Sequence, residues 1–280
     1  MRVVVCGEAL IDLMPAPGSA SPQAGGATSW LARCGGGPFN TAVALARLGR
    51  VTSFLGRFGD DGFATQLRDC LNGSGVDLSL AVASSQPTSL AVASVLADGQ
   101  AAYTFHLRDT ANFGWQGGDF PVLDSGDWLH FGSLASVVDP GWRALLDWLP
   151  SCACALSYDV NARPGVLPHP GEYWRRVEPF LAIVGASGGI VRASDEDLAF
   201  LARRVGDTGF DPATMATEWA ATYGISLVVV TLGNHGAAAF TRQGCVGQVG
   251  GFPVTVVDTV AAGDTFTAGF LASWLDTRFD

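Results

Sequence analysis

The chain has no lysine: all 16 of its basic residues are arginines. Schiff-base chemistry on a protein amine and a Walker-type phosphate loop both need lysine, so both are excluded. Positive charge is scarce as well, because 26 acidic residues give a formal net charge of −10. Nucleic-acid backbones bind to basic surfaces, so this charge argues against a nucleic-acid partner. ATP is not excluded, because a few arginines and a helix N-terminus can hold its phosphates.

Patterns typical of metal sites and membrane spans are missing too. The six cysteines are scattered, and their one close pair, Cys152 and Cys154, has no second pair or nearby histidine at zinc spacing. We therefore expect reduced, mostly buried thiols in a cytoplasmic protein. No apolar run approaches the length that spans a bilayer, and Glu8 and Asp12 interrupt the apolar N-terminus. Neither a membrane partner nor a signal peptide is expected.

Apolar strands alternate with helices along most of the chain, which is typical of a parallel sheet between two layers of helices. The predicted strand positions are 2–6, 51–56, 128–132, 154–158, the apolar run 181–184, and 227–231. The predicted helices are 41–48, 61–73, 141–149, 194–205, 214–223 and one that begins near 264.

Two segments interrupt this alternation. Residues 13–34 are rich in proline and glycine, which break long helices and strands. Residues 87–108 contain two β-rich runs around an Asp-Gly turn at 97–100, which predicts a hairpin. We assign both segments to a small β lid. The main domain then comprises 1–12, 35–86 and 109–280, and a homodimer formed through the lid is left open.

The stretch 258–264 (DTVAAGD) joins a predicted strand at 253–257 to a helix. The helix is indicated by aromatic residues that recur every four positions: Phe266, Phe270 and Trp274. A helix N-terminus has unpaired N–H groups and a partial positive charge, so it can receive phosphate oxygens. Asp264 lies in the first turn, where it can take a proton from an attacking hydroxyl. A carboxylate that only caps the helix is the alternative.

A second group of candidates lies near the N-terminus. Asp12 follows the first strand, at the sheet edge where ligands collect in α/β proteins, although a turn carboxylate would look the same. Three glycines at 35–37 allow a close approach to the helix that follows. Asn40, in or before the first turn of that helix, can cap it or bind a sugar hydroxyl.

These pieces together resemble one family. Residues 35–40 (GGGPFN) and 56–62 (GRFGDDG) resemble the N-terminal signature of the ribokinase/PfkB-like carbohydrate kinases, and 258–266 (DTVAAGDTF) resembles their C-terminal signature. Residues 7–12 (GEALID), 159–164 (DVNARP) and 230–233 (VTLG) are similar to the fructokinase-like branch. The resemblance covers nearly the whole chain, in the family's order.

The resemblance implies a three-layer αβα ribokinase-like fold, with a mostly parallel central sheet and a small β-sheet lid. It implies transfer of the γ-phosphoryl of ATP to a primary hydroxyl of a small sugar, with fructose as the first candidate. Asp264 then matches the catalytic base. Gly263, preceded by Ala262 and Ala261, matches the anion hole at the helix N-terminus.

Other family positions match residues along the chain. Those that hold sugar hydroxyls match Asp12, Gly36 and Asn40, and Arg108 in the lid is placed to reach the sugar. Arg163 matches an arginine near the transferred phosphate or the substrate.

The nucleotide side of the family site matches Arg192, Ser194, Thr231 and Gly233. Ser194 to Asp197 takes the place of a family motif that acts on Mg²⁺ indirectly, so Asp197 is expected to act on the metal through water. The cofactors implied are ATP, Mg²⁺ and, as in many relatives, a monovalent cation such as K⁺.

Two departures from the family pattern matter. Ala261 stands where most relatives have glycine, which is costly if its φ is positive and tolerable if φ is negative. Relatives also usually continue for some tens of residues beyond the position of Asp280, with a helix that helps close the adenine pocket. We expect either a shortened chain or a nucleotide pocket that is completed differently.

Three alternatives remain open at this stage. Within the same class the chain can be a 2-keto-3-deoxygluconate kinase or a ribokinase; an acidic substrate would need an extra arginine near the sugar, which Arg108 or Arg33 can supply. From another class, it can be a non-catalytic sugar-binding relative.

Overall fold

The structure is a computed structural model that describes residues 1–16, 29–95, 101–206, 210–256 and 258–277. Its strands are β1 Val3–Cys6, β2 Leu10–Pro15, β3 Trp30–Gly35, β4 Thr52–Leu55, β5 Arg57–Phe58, β6 Val82–Ala83, β7 Leu90–Val95, β8 Ala101–His106, β9 Trp128–Gly132, β10 Ala155–Asp159, β11 Ile190–Ser194, β12 Leu227–Thr231, β13 Ala237–Thr241 and β14 Gly244–Val249. Its α-helices are α1 Gly37–Arg47, α2 Gly62–Gly73, α3 Gly141–Trp148, α4 Pro170–Ala186, α5 Asp195–Ala202, α6 Pro212–Tyr223 and α7 Ala262–Thr277.

Eight strands form the main sheet, in the order β14-β13-β12-β11-β10-β9-β1-β4. The pairs from β4 to β12 are parallel, whereas β13 and β14 are antiparallel additions at one edge. Because parallel strands end at the same edge, the residues that follow β1, β10 and β11 meet there.

Side chains alternate between the two faces of this sheet, as the period of a strand requires. Val4 of β1 packs in a core with α3, α4, α5 and α6. Val3 and Val5 face the opposite way and pack with α1, α2 and α7. The expected three-layer αβα arrangement with a mostly parallel sheet is confirmed.

A second sheet of four strands has the order β3-β2-β7-β8. The predicted hairpin is present, because β7 and β8 pair antiparallel, although its turn lies outside the described residues. The segment predicted at 13–34 supplies half of β2 and most of β3, and its part at 17–28 lies outside the described residues. We call these four strands the lid sheet. The proposed division into main domain and lid stays a prediction.

Two strand predictions are wrong. Residues 253–256 form no strand, and Val254 and Val256 are 74% and 66% exposed. β-branched residues favour a strand only where a neighbouring strand pairs with them, and β14 ends the sheet here. The apolar run 181–184 belongs to α4, whose buried residues Val177, Phe180, Leu181 and Val184 have helical spacing. The strand that pairs with β10 is β11, which begins six residues after that run.

The remaining expectations on segments and thiols can be compared with the described ranges. No helix within them combines the length and apolarity needed to cross a bilayer. All six cysteines are free, but only Cys6 and Cys154 are buried, so the expectation of mostly buried thiols is wrong.

Candidate active site

Asp264 lies in the first turn of α7 and is buried, with only 6% of the residue exposed. Asn40, on α1, donates its amide to Oδ2 of Asp264 at 2.8 Å. Asn161, which follows β10, donates to Oδ1 at 3.3 Å. Among the described residues, the hydrogen bonds of this carboxylate therefore come from other parts of the fold rather than from α7, which argues against a simple helix cap.

The environment of Asp264 disfavours its charged form. Burial is the main effect and raises the pKa of the carboxyl to about 6, helped by the nearby charge of Asp159. The hydrogen bond from Asn40 and the charges of Arg163 and Arg192 act in the opposite direction. A carboxylate with a pKa near 6 is ionised at neutral pH and is a better proton acceptor than an ordinary aspartate.

The N-terminus of α7 offers two backbone donors next to this carboxylate, the N–H groups of Gly263 and Asp264. The N–H of Ala262 is donated to the carbonyl of Thr259 at 3.2 Å, and that of Thr265 to Ala261 at 2.9 Å. Within the described ranges, nothing accepts a hydrogen bond from the N–H of Gly263 or of Asp264. The candidate anion hole therefore consists of the N–H groups of Gly263 and Asp264. N–H groups without an acceptor within the helix are expected where a helix begins.

Ala261 has a left-handed backbone, with φ of 61°. This is the conformation for which an alanine at this position was expected to be costly, because Cβ crowds the following carbonyl. The turn that it makes directs the Ala262 N–H back to Thr259, so the next two N–H groups remain available. The strain therefore lies directly beside the candidate anion site.

A cavity of about 600 Å³ lies against Asp264 and the start of α7. Most of the predicted site residues line it: Asp12, Gly36, Asn40, Arg163, Arg192, Ser194, Asp197, Ala261, Ala262, Gly263 and Asp264. Residues from both ends of the chain meet here because β1, β10 and β11 are neighbours in the sheet or separated only by β9. Their individual roles stay predictions.

Asp12 belongs to β2 of the lid sheet and not to a turn. A Cβ on Gly35 would lie 2.1 Å from its Oδ2, so only glycine leaves room for this carboxylate. Gly36, with φ of 111°, packs against the backbone of Glu8. Burial raises the pKa of Asp12 to about 6, although the charge of Arg163 lowers it. Asp12 can therefore accept hydrogen bonds from a neutral ligand in the cavity.

Arg163 carries positive charge into the cavity from the loop after β10. Its guanidinium donates to the carbonyl oxygens of Asn161 at 3.4 Å and Ala162 at 3.2 Å. Both are weak, neutral acceptors, so a phosphate oxygen would be a stronger partner for the same group.

Ser194 and Asp197 form a reciprocal capping box at the start of α5. One Asp197 oxygen accepts from the N–H of Ser194 and the other from that of Ala162, each at 2.8 Å. Burial raises the pKa of Asp197, and the bonds from Ser194 oppose this. The described ranges contain no group of three or more histidine, cysteine, aspartate or glutamate side chains that could hold a metal. The predicted role of Asp197, an indirect contact with Mg²⁺ through water, does not require such a group.

Three predicted residues are not on the lining of this cavity. Arg108 lines an adjoining cavity, which shares Tyr103, Phe105 and Gly165 with the first. Thr231 lies behind the wall and accepts a hydrogen bond from Arg192 at 2.6 Å. Gly233 begins the turn that follows β12.

Sequence reasoning assigned no role to Glu8, although the structure places it in the cavity wall with 1% of its surface exposed. Its carboxylate accepts the N–H of Ala135 at 3.2 Å, and burial raises its pKa to about 7. Asn161 and Asp159 were also missed as individual residues, although both lie in the stretch 159–164. An acidic residue at the carboxyl end of an apolar strand, or just beyond it, is the signal that identifies Asp159 and Glu8.

Comparisons with known proteins bear on the family and the fold of the chain. The model of the pfkB family of carbohydrate kinases matches residues 1–278. A fructokinase from Rhizobium leguminosarum bv. trifolii is 37% identical over 275 residues, which are 97% of this chain and 79% of that protein.

Solved structures are similar as well. A fructokinase double mutant from Vibrio cholerae O395, with fructose, ADP and potassium ion bound, has a TM-score of 0.80 at 30% identity, and the match covers 97% of this chain and 82% of that one. A fructokinase from Xylella fastidiosa with bound ATP has a TM-score of 0.82 at 26% identity, over 100% of this chain and 82% of that one.

The strain at Ala261 generates a stability prediction. Ala261→Gly should raise the free energy of unfolding by about 1 kcal/mol, because glycine adopts positive φ without the Cβ clash. Denaturant unfolding followed by circular dichroism measures this. Ala262→Gly is the matched control: it is helical, so glycine there should destabilise by about 0.5–1 kcal/mol. Equal destabilisation by both changes would show that Ala261 is unstrained.

Proposed function

Because the chain belongs to the pfkB family of carbohydrate kinases, it is a phosphotransferase that acts on a sugar, and we propose that it transfers the γ-phosphoryl group of ATP to a primary hydroxyl of fructose. The observation that carries this proposal is the position of Asp264. This buried carboxylate adjoins two backbone N–H groups that have no acceptor among the described residues, and it lines a cavity together with Asp12 and Asn40. A base, an anion site and polar groups for a sugar are the parts that such a transfer requires.

The chemical step follows from these parts. Asp264 takes the proton from the sugar hydroxyl, so that the oxygen can attack the γ-phosphorus. A bond forms between this oxygen and phosphorus while the bond from phosphorus to the β–γ bridging oxygen breaks, and ADP leaves. The N–H groups of Gly263 and Asp264, together with Arg163, stabilise the negative charge on the phosphoryl oxygens.

The donor set suits a triphosphate. Among the described residues, the guanidinium of Arg163 donates only to carbonyl oxygens. A Cβ on Gly263 would lie 2.9 Å from Arg192 Nη2, so the backbone of α7 and a positive charge lie side by side on the cavity wall. We propose that Asp197 would hold Mg²⁺ through water, and that the ion would neutralise negative charge on the nucleotide phosphates. A monovalent cation such as K⁺ is part of the proposal because the similar Vibrio cholerae structure binds one.

A neutral sugar suits the cavity better than an acidic one. Arg108 lines the adjoining cavity, and Arg33 is exposed and lies 3.9 Å from Asp258. Arg192, on the lining, packs against Gly263 at the start of α7, on the side where phosphate would bind. The charge of Arg163 acts on both Asp264 and Asp12, so this arginine is not confined to the sugar side. The sugar side instead offers Asp12 and Asn40, which bind hydroxyl groups. These placements favour fructose or ribose over 2-keto-3-deoxygluconate.

We further propose that the lid sheet closes over the sugar, because β2 carries Asp12 and β8 carries Tyr103 and Phe105 on the cavity lining. Dimerisation through this sheet is supported by Trp30 and Leu31 on β3, which are 43% and 39% exposed. The six free thiols are compatible with work in the cytoplasm, where ATP is present. Neither a nucleic acid nor a membrane is included among the proposed partners.

Turnover is the first test of the function. With ATP and Mg²⁺, ADP release should be fastest with fructose, compared with ribose and 2-keto-3-deoxygluconate.

Asp264→Asn should lower kcat by at least about 100-fold, because the base is lost, and should change the Kd for fructose less than about threefold. The variant should also unfold at a higher temperature than the wild type at pH 8, since it lacks a buried charge. Equal losses of binding and turnover would contradict the assignment of Asp264 as the base.

The role of Asp12 predicts a split between the two substrates. Asp12→Asn should raise KM for fructose about 10–100-fold, the range expected for a lost hydrogen bond to a charged group, with little change in KM for ATP. Steady-state kinetics with each substrate varied in turn measure this. Asp69→Asn, an exposed carboxylate on α2, is the control and should leave both constants unchanged. A larger effect on ATP than on fructose would overturn the placement of the sugar.

The raised pKa of Asp264 predicts the pH dependence of kcat. The base acts in its ionised form, so kcat at saturating fructose should fall about tenfold per unit below pH 6 and level off above about pH 7. Saturation matters because Asp12 also has a pKa of about 6 and would affect fructose binding. A kcat that is constant from pH 5 to 8 would show that Asp264 does not accept the proton.

A further inference from the structure

A buried polar cluster lies directly beneath the first turn of α7. Its members come from four different elements: Asp159 ends β10, Arg192 lies in β11, Thr231 ends β12, and Thr267 lies in α7. Asp159, Arg192 and Thr267 are 4%, 8% and 3% exposed. Buried charges need partners, so the geometry of this cluster is strongly constrained.

The hydrogen bonds of the cluster centre on Asp159. Arg192 Nη1 donates to its two carboxylate oxygens at 3.1 and 3.4 Å, while Nη2 donates to Thr231 at 2.6 Å. The hydroxyl of Thr267 donates to Asp159 Oδ2 at 3.0 Å and lies 3.0 Å from the carbonyl oxygen of Gly263. Asp159 therefore binds both Thr267, which lies inside α7, and Arg192, against which the start of α7 packs.

The contact between this arginine and the anion site is close. The backbone of Gly263 packs against the guanidinium of Arg192, leaving no room for a side chain at 263. A shift of Arg192 would therefore displace the N–H groups of Gly263 and Asp264. It would also move the Asp264 carboxylate, which belongs to the same turn.

We propose that Asp159 is a positioning residue for phosphoryl transfer: through Arg192 and Thr267 it holds the first turn of α7, and with it the anion site and the base. This inference rests on the proposed function. Asp159 itself does not line the cavity, so it acts through its two partners and not on the substrates. Misplacement of groups that act only in the transition state should lower kcat more than it raises KM.

Asp159 also acts through its charge. Its negative charge raises the pKa of Asp264, whereas Arg192 and Arg163 lower it. The titratable and charged groups that interact with Asp159 from its own and neighbouring elements are Tyr158, Arg192, Asp197 and Asp264. When Asp159 becomes neutral, the charge of Arg192 is no longer balanced, and the pKa of Asp264 should fall.

Asp159→Asn keeps the size of the side chain and an acceptor for Thr267 but removes the charge. With fructose, kcat should fall about 10–100-fold while KM changes less than about threefold, and the acid limb of the kcat profile should move to lower pH. An unchanged kcat, or an unchanged acid limb, would overturn the proposal. A purely structural defect would instead lower the amount of folded protein and leave the pH profile in place.

A second readout does not require turnover. In protein labelled with ¹³C-aspartate, the carboxyl signal that is missing in Asp264→Asn reports the titration of Asp264. This titration should occur at lower pH in Asp159→Asn than in the wild type, and equal titration would overturn the charge effect. If the wild type binds but does not phosphorylate any sugar, the proposed function fails while this measurement still decides how Asp159 acts on Asp264.

Substitutions at Thr267 test the positioning of α7 separately from the charge effect on Asp264. They also provide a test if Asp159→Asn does not fold. Thr267→Val has the same shape without the hydroxyl, so kcat should fall several-fold with the acid limb unmoved, because no charge changes. Thr267→Ser keeps the hydroxyl and should restore kcat. Equal kcat values in the two variants would show that the bond to Asp159 does not position α7.

Discussion

The hydrogen bond from the Asn40 amide to the Asp264 carboxylate joins two helices whose residues are 224 positions apart in the chain. It is possible only because α1 and α7 pack side by side on one face of the main sheet, with their N-termini at the same edge. A second amide, from Asn161 in the loop after β10, donates to the other oxygen of the same carboxylate. The parallel sheet therefore brings together the proposed base, the glycine-rich turn and the loop after β10.

The repeating part of this fold could be predicted from the sequence. Runs such as Val3–Cys6 and Leu227–Thr231 are apolar on both faces, which marks strands covered by helices on each side. The two short motifs at 35–40 and 258–266 both contribute to the cavity lining, because glycine and small residues are required where backbone must approach a ligand. Residues 253–256 show the limit of such reasoning: their β propensity is local, whereas a strand also needs a neighbour to pair with.

The parts of the site that sequence reasoning missed are contacts between distant residues. Glu8 and Asp159 are single acidic residues at or just beyond the ends of strands, and the local sequence does not tell which amide or guanidinium each will contact. Arg108 lines the adjoining cavity, so its contact with the sugar stays a prediction that its sequence position in the lid could not settle. Ala261 was recognised as unusual, but the sign of its φ depends on the turn from Thr259 to Ala262 and could be read only from the structure. Strain at that position, next to the anion site, is consistent with the general observation that functional sites break local rules.

The absence of lysine has a structural counterpart at the centre of the site. Arg192 must satisfy Asp159 on one neighbouring strand and Thr231 on the other, while its flat surface supports the backbone of Gly263. A guanidinium can do all three, because its donors point in fixed, divergent directions within one plane. A lysine ammonium is a single point of charge and could not bridge both neighbours while keeping that plane against the helix. The first turn of α7 thus depends on arginine geometry as well as on positive charge, and replacement by lysine at this position would not be conservative.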